Sequence, residues 1–586
     1  MKNIDQQYSF QPYFLGPSSE NKEWLSRSWI SILEHWTKWR SSLYSTDGRV
    51  ISASAATSSN YIGKQQSMSD GLNKLLELLQ SETPTYSPRY TGHMTSELLL
   101  PGIMAHIATL IHNPNNASIE VARVGKTLET QAINMLLEMI GMSPEHGRGH
   151  FTSGGTMANF EALWRARYRL DHWLSQGLYL NQNFSEHFER GVFELAHCGW
   201  NIYSYNLNNL NIDEALSKQW SFVIQGPWEY AHRLKSQLGL SFKGPVILVP
   251  QSKHYSWQKG ASIFGLGEDA FWPIELDSDG KLSIEDLKIN ISKARLDDRP
   301  ILMVVSIAGT TELGGLDPVN EVQDYLDELK KEDVHIWHHV DAAYGGFYSC
   351  LLKKHNSILG AKGRLALQSL NRVESVTLDP HKLGYIPYAC GAILTKDSNC
   401  YSVSSFEAPY LELNQQAKYP TWSTTLEGSR AATGAAATWI NGQVVGYNEN
   451  GFGQILEYGL CAARELCRRL ENIPEIRIYK PIDTNIVCFC VVGNRSSLNN
   501  INTATESLYK FFRESPDVSC SKTTLTTKNY KNVLSRLFDS WNIDEDDDKL
   551  VLIRMVLMNP YLLERTQQIS YLDNLVCHTK RFLERL

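Results

Sequence analysis

The chain has 586 residues, 42% hydrophobic and 20% charged, which is too long for one simple core and ordinary for a water-soluble globular protein. Its net charge of -7, with no cluster of Lys and Arg, argues against nucleic acid as the main partner. No apolar run is long enough for a bilayer, the first residues lack a signal-peptide core, and the ten cysteines are scattered. A reduced, cytoplasmic protein without a membrane partner or a metal site is therefore expected.

Residues 1–115 read as an irregular helical arm rich in aromatics. Trp24 to Arg40 has helical spacing, Ile51 to Met68 is small and polar and reads as a loop, and Leu72 to Leu79 and Leu98 to Ile111 are helices. So long a segment without a strand pattern suits something that wraps another body, such as a second subunit.

Residues 116–440 alternate helix and strand. Helices are predicted over Thr127 to Ile140 and Met157 to Leu174, and strands at Gly149 to Thr152, Pro245 to Pro250, Ile301 to Ala308, Ile336 to Val340, Val376 to Leu378 and Ala392 to Leu394. The runs 245–250 and 301–308 are wholly apolar, as in parallel strands buried on both faces. An α/β domain with helices flanking a mainly parallel sheet follows. Residues 441–586 change character again: helices at Gly453 to Leu470, Thr503 to Phe512 and the C-terminus combine with strands at Ile476 to Tyr479, Asn485 to Val492 and Leu550 to Met555. This pattern predicts a smaller α+β domain.

Chemistry-bearing residues fall where these strands end. Ser153-Gly-Gly-Thr156 joins a strand to a helix, where free backbone N–H groups make an anion site or a plain helix cap. His254 follows the strand ending at Pro250 and is placed either to stack on a planar ligand or to pack at a helix start. Gly309-Thr-Thr311 follows the strand 301–308, at the end where open α/β sheets bind ligands. Asp341 closes an apolar strand and is followed by Ala342-Ala343-Tyr344-Gly345-Gly346, so a buried carboxylate there calls for a cation. Lys382 stands on the turn Asp379-Pro-His-Lys, presented like an amine that forms a Schiff base. Taken alone, that turn also describes an ordinary surface lysine.

Taken together, the blocks Tyr90–Glu97, Gly155–Asn159, His254–Trp257, His339–Gly346, Asp379–Tyr388, Leu426–Ser429 and Met558–Tyr561 resemble the group II pyridoxal-phosphate-dependent amino acid decarboxylases. Within that group the bacterial tyrosine decarboxylases are the most similar, and the likeness covers nearly the whole chain. It implies an aspartate aminotransferase-like fold (fold type I), with Lys382 holding pyridoxal 5'-phosphate covalently and Asp341 keeping its ring nitrogen protonated. Ala343 would pack beneath the ring and His254 above it, Thr311 would reach the ring's 3′-oxygen side, and Gly155, Thr156 and His381 would hold the phosphate. Tyr410, on the loop after the lysine, would protonate the product carbon, and a homodimer would share its active sites across the interface. His93 and Tyr90 would line the substrate pocket, with Arg430 nearby in a role that is either carboxylate binding or structural; the role of Arg554 is left open.

The implied reaction converts an L-amino acid, aromatic and foremost tyrosine, to its amine and CO2. Acidic amino acids are the alternative, followed by a catalytically silent binding protein. Departures from the family pattern touch the substrate side. Ala122-Arg-Val replaces a common Ser-Pro pair, Asn559 replaces Thr or Ser, and the segment after Lys353 is shorter.

Overall fold

The computed structural model describes residues 10–184, 190–209, 218–354, 358–404, 421–492, 497–565 and 569–585. Seven strands form the main sheet: β1 (Arg148–Thr152), β2 (Val246–Pro250), β3 (Phe271–Ile274), β4 (Ile301–Ile307), β5 (His338–Asp341), β6 (Ser375–Leu378) and β7 (Gly391–Thr395). Their order is β1-β7-β6-β5-β4-β2-β3. From β6 to β3 every pairing is parallel, and β7 runs antiparallel between β6 and β1. The carboxyl ends of β1, β2, β4, β5 and β6 therefore share one edge of the sheet. That edge is where a sheet of this kind presents ligands.

β2, β4, β5 and β6 are buried throughout; β2 and β4 are accordingly apolar but for Ser306, whereas the polar side chains of β5 and β6, among them His338, His339 and Thr377, are hydrogen-bonded inside. The strand expected at 336–340 begins at His338 and extends to Asp341, so the carboxylate belongs to the strand itself. β3 escaped the sequence pattern because Phe271-Trp-Pro-Ile is short and contains Pro273. It is an edge strand, where a missing backbone donor is tolerated.

A second, antiparallel sheet has the order β10-β11-β9-β8, from β8 (Ile476–Ile478), β9 (Ile486–Val491), β10 (Ser521–Thr526) and β11 (Lys549–Val556). β10 lies between the predicted helix Thr503 to Phe512 and the predicted strand Leu550 to Met555, where no strand is expected. It too is an edge strand, with one solvated face. A continuous apolar cluster runs from Leu316, Tyr344 and Tyr385 beside the first sheet to Ile486, Leu552 and Met558 in and after the second. The helix Thr433–Val444 spans the expected domain boundary near residue 440 and packs on the helices Leu100–His112 and Arg123–Met139.

The longest helix, Gly155–Asn183, begins directly after β1 and outlasts the expected Met157 to Leu174 by two residues at its start and nine at its end. It is buried along most of its length, packed under β4, β6 and β7. The N-terminal region is of two kinds. Phe10 and Phe14 are buried, and Phe14 bridges to Leu99 and meets the Tyr385 ring edge-on at 5.8 Å. The helices Lys22–Ser42 and Ser59–Leu79, in contrast, bury no residue. The loop expected over 51–68 is instead helical, in Ala53–Ala56 and the start of Ser59–Leu79. Ser52 and Ser58 cap these helices by accepting from the N–H groups of Ala55 and Tyr61, an N-cap signal that the small polar composition masked.

Candidate active site

A cavity of about 400 Å³ opens at the shared carboxyl edge. Of the residues singled out in the sequence, Gly155, Thr156, His254, Thr311, Asp341, Ala343, His381 and Lys382 line it. Tyr410 lies outside the described residues. His93 is exposed and Tyr90 is buried, and neither is among the lining residues; Met94, from the same turn, is.

Arg430 is not on the cavity wall. Its guanidinium pairs with Glu129 and donates to the carbonyls of Phe151 (3.0 Å) and Asn116 (2.9 Å). Burial alone would raise the Glu129 carboxyl, but Arg430 and Lys126 hold it down at about 2. Arg430 is thus a structural ion-pair residue, and the substrate contact left open for it has no support in this geometry. Arg554 is likewise a staple, donating to the carbonyls of Thr311 (2.8 Å) and Gly92 (3.2 Å) and so tying rim loops together.

The turn bearing Lys382 is fixed by its backbone. The Lys382 N–H donates to the Asp379 carbonyl at 2.9 Å, and the Tyr385 N–H to the Lys382 carbonyl at 3.1 Å. Gly384 permits the tight return: a Cβ there would lie 2.4 Å from the Pro380 carbonyl oxygen. Lys382 Nζ stands 3.0 Å from Asp379 Oδ2. Burial acts to lower the lysine's pKa, but the charge and hydrogen bond of Asp379, with Asp341 and Tyr388, raise it overall. The other oxygen, Asp379 Oδ1, is buried without a donor among the described residues. His381 bonds through Nδ1 to the Cys390 carbonyl, its ring centroid is 4.5 Å from that of Tyr388, and burial lowers its pKa.

The turn after β1 meets this loop although β7 lies between their strands. A Cβ on Gly155 would fall 2.8 Å from Asp379 Oδ2, and one on Gly154 would lie 3.7 Å from His381 Cε1. Only glycine at 155 allows the helix N-terminus to approach so closely. The first N–H groups of the helix Gly155–Asn183, with Ser153 and Thr156 beside them, therefore open onto the cavity as an anion cradle.

Asp341 is held by neutral donors. Its Oδ2 accepts from Asn159 Nδ2 at 2.8 Å and from Trp257 Nε1 at 3.2 Å, and Oδ1 from the Ala343 N–H at 3.4 Å. Among the described residues it has no salt-bridge partner. Behind it, Thr377 donates to Asn159 Oδ1 at 2.8 Å, and His339 Nε2 lies 3.3 Å from the same oxygen. Burial pushes His339 down to about 3, so it is a neutral ring. The network orients the carboxylate without neutralising it, leaving its charge to a cation in the cavity. Asn159 and Trp257 had been quoted as parts of motifs without a role. The available signal for Asn159 was its position four residues after Gly155, one helical turn along the same face. Asp379 and Ser252, also lining residues, carried no such signal.

These features fit pyridoxal phosphate. The set comprises a cradle for a phosphate, an amine, an orphaned carboxylate oxygen beside that amine, a buried aspartate suited to a protonated pyridine nitrogen, and His254 and Ala343 on the lining. Burial chiefly lowers the pKa of His254, and its Nδ1 lies 2.9 Å from Ser256 Oγ.

Residues 233–492 match the model of the pyridoxal-dependent decarboxylase conserved domain. The chain is 28% identical to an L-tyrosine decarboxylase of Enterococcus faecium, covering 96% of each chain. It is 26% identical to an L-tyrosine decarboxylase of Enterococcus faecalis, covering 98% of this chain and 97% of that one. In fold it is similar to the crystal structure of mouse CSAD in apo form, with a TM-score of 0.64 and 18% identity over 96% of this chain and 98% of that one.

Proposed function

From its place among the group II pyridoxal-phosphate-dependent amino acid decarboxylases, to which the chain belongs, we propose that it decarboxylates an aromatic L-amino acid, L-tyrosine foremost, to the amine. The observation that carries the aromatic preference is the charge of the cavity wall. Among its described lining residues Lys382 is the sole lysine or arginine, and it is already paired with Asp379. An acidic substrate would need a further cation for its second carboxylate, whereas Tyr255, Tyr388 and Met94 offer apolar surface. The substrates named for the Enterococcus relatives point the same way.

When bound, pyridoxal phosphate supplies the electron sink that takes up the pair released as CO2 leaves. The chain's residues do the rest. Gly155, Thr156 and His381 would hold the cofactor's phosphate, Asp341 would keep a proton on its ring nitrogen, His254, Ala343 and Thr311 would contact its ring, and Lys382 would bind it covalently. Together they would orient the substrate bond to be broken. The product carbon then takes up one proton per CO2 released, which we assign to Tyr410 on the strength of the resemblance. Tyr90 and His93, next to Met94, are proposed to act from behind the substrate pocket.

We also propose a cytoplasmic homodimer with shared sites, supported by the bare apolar faces of Lys22–Ser42 and Ser59–Leu79 and by ten free cysteines. No helix among the described residues is long and apolar enough to cross a membrane. Incubating the purified protein with single amino acids, and measuring amine, CO2 and peroxide, tests the reaction. Tyramine with equimolar CO2 is expected from tyrosine. Turnover of glutamate or aspartate alone, or peroxide without amine, would overturn the proposal.

A further inference from the structure

A second cavity, of about 550 Å³, lies at the opposite edge of the main sheet, a size ordinary for a small-molecule site. His335 precedes β5, Glu374 precedes β6, and Lys396 and Asp397 follow the antiparallel β7, so all are brought to this edge. Arg169 reaches it from the helix Gly155–Asn183, fourteen residues beyond the phosphate turn at that helix's start.

Arg169 is only 5% exposed. Its guanidinium lies against two indoles, with Cζ 4.4 Å from the Trp173 ring centroid and 4.7 Å from that of Trp337. Among the described residues its buried Nε–H has no acceptor and the side chain forms no ion pair. Arg165, one turn earlier, shares the unpaired Nε–H, but its terminal nitrogens donate to Glu161, Ser404 and the Thr424 carbonyl, whereas those of Arg169 form no ion pair among the described residues. The acids near Arg169 are engaged elsewhere. Glu374 accepts from the His338 N–H at 2.8 Å and stands 3.4 Å from Lys330, while Asp397 accepts from the Asn399 N–H at 2.8 Å. A buried guanidinium lined up on a cavity without its own carboxylate is costly unless something else supplies the acceptor.

We propose that this cavity binds a small molecule carrying one carboxylate on a flat apolar body, with the carboxylate on Arg169. The planar fork of arginine matches a carboxylate's two oxygens. Of the other cations in the wall, Lys330 faces Glu374 at 3.4 Å and Lys396 donates to the Arg372 carbonyl at 3.3 Å, which leaves Arg169 to take a single carboxylate. Trp173 and Trp200, edge to face at 5.3 Å, provide an aromatic wall for the apolar body. The site is separate from the catalytic cavity and stands whether or not the aromatic-substrate reading does.

Crystals of the cofactor-loaded protein soaked in 4-bromobenzoate test this through the anomalous signal of bromine, with calorimetric titration alongside. The expected result is a bromine peak in this cavity beside the Trp200 indole, with the carboxylate on Arg169. Binding should be at least about tenfold weaker in Arg169→Gln and also weaker in Trp200→Ala, with the visible absorbance of bound cofactor unchanged in both. Arg169→Lys keeps the charge but loses the fork, and provides the same reading if the Gln variant does not fold. The proposal is overturned by a bromine peak found solely at the catalytic cavity, by equal affinity in the Arg169 variants, or by inorganic phosphate displacing the probe from this site at lower concentration than benzoate.

Discussion

The carboxyl edge of the main sheet and the N-terminal helices are opposites in how their side chains are satisfied. At the sheet edge nearly every polar group has a neighbour: Asp341 has three donors, Asn159 links it to Thr377, and Lys382 sits on Asp379. On the helices Lys22–Ser42 and Ser59–Leu79, large apolar groups such as Trp24, Trp29, Leu33, Leu72 and Leu76 lie exposed. In the first region these polar side chains find their partners within one chain. The second leaves these apolar side chains in the open, and they are the surface that the proposed dimer would cover.

The contrast can be tested one side at a time. Asp341→Asn keeps the shape but removes the charge that balances a protonated ring nitrogen. Turnover should fall on the order of 10²–10⁴-fold while the oligomer stays intact by light scattering; a loss under about threefold would show that the carboxylate is not the ring's counter-charge. Conversely, Trp29→Ser with Leu33→Ser should halve the particle mass at micromolar concentration, each change removing about 1.5–3 kcal/mol of apolar burial from the interface. An unchanged mass would mean that those helices do not join subunits.

A smaller effect sharpens the border between the two regions. Glu97 accepts from the Gly16 N–H at 2.7 Å and helps dock the Phe10–Gly16 strap. Burial chiefly raises its pKa, to about 7 from 4.5, against the lowering by the backbone hydrogen bonds of Gly16 and Leu15. A raised carboxyl favours the folded state most when protonated. The stability it allows is full below the unfolded value near 4.5 and is lost as pH climbs through 7. Glu97→Gln cannot ionise, so it should be more stable than the parent by up to about 2–3 kcal/mol at pH 8 and nearly equal at pH 5. An equal difference at both pH values in denaturant titrations would refute this account of Glu97.

The same contrast explains what could be read from sequence. β2 and β4 were legible because strands buried on both faces must be spelled in apolar residues, and the motifs at their ends stood out against that background. Lys382 and Asp341 were legible because a strand end forces a reactive side chain into a short, recognisable turn. β3 and β10 were not, since an edge strand tolerates Pro273 or the polar run 521–524. Of the helix Ser59–Leu79 the end, Leu72 to Leu79, was legible, whereas the small polar residues up to Met68 hid its start. Arg430 was misleading for a related reason: a basic residue near a site looks the same in sequence whether it faces substrate or, as here, Glu129. Asn159 became visible only when its hydrogen bonds did.

The central claim is that Lys382 is the residue on which the cofactor is carried. Borohydride reduction of the yellow, cofactor-loaded protein, followed by proteolysis and mass spectrometry, addresses it directly. The phosphopyridoxyl mass should appear on the peptide containing Asp379-Pro-His-Lys382, and no label should form in Lys382→Ala. A label on a different lysine, or one that survives in that variant, would contradict the account.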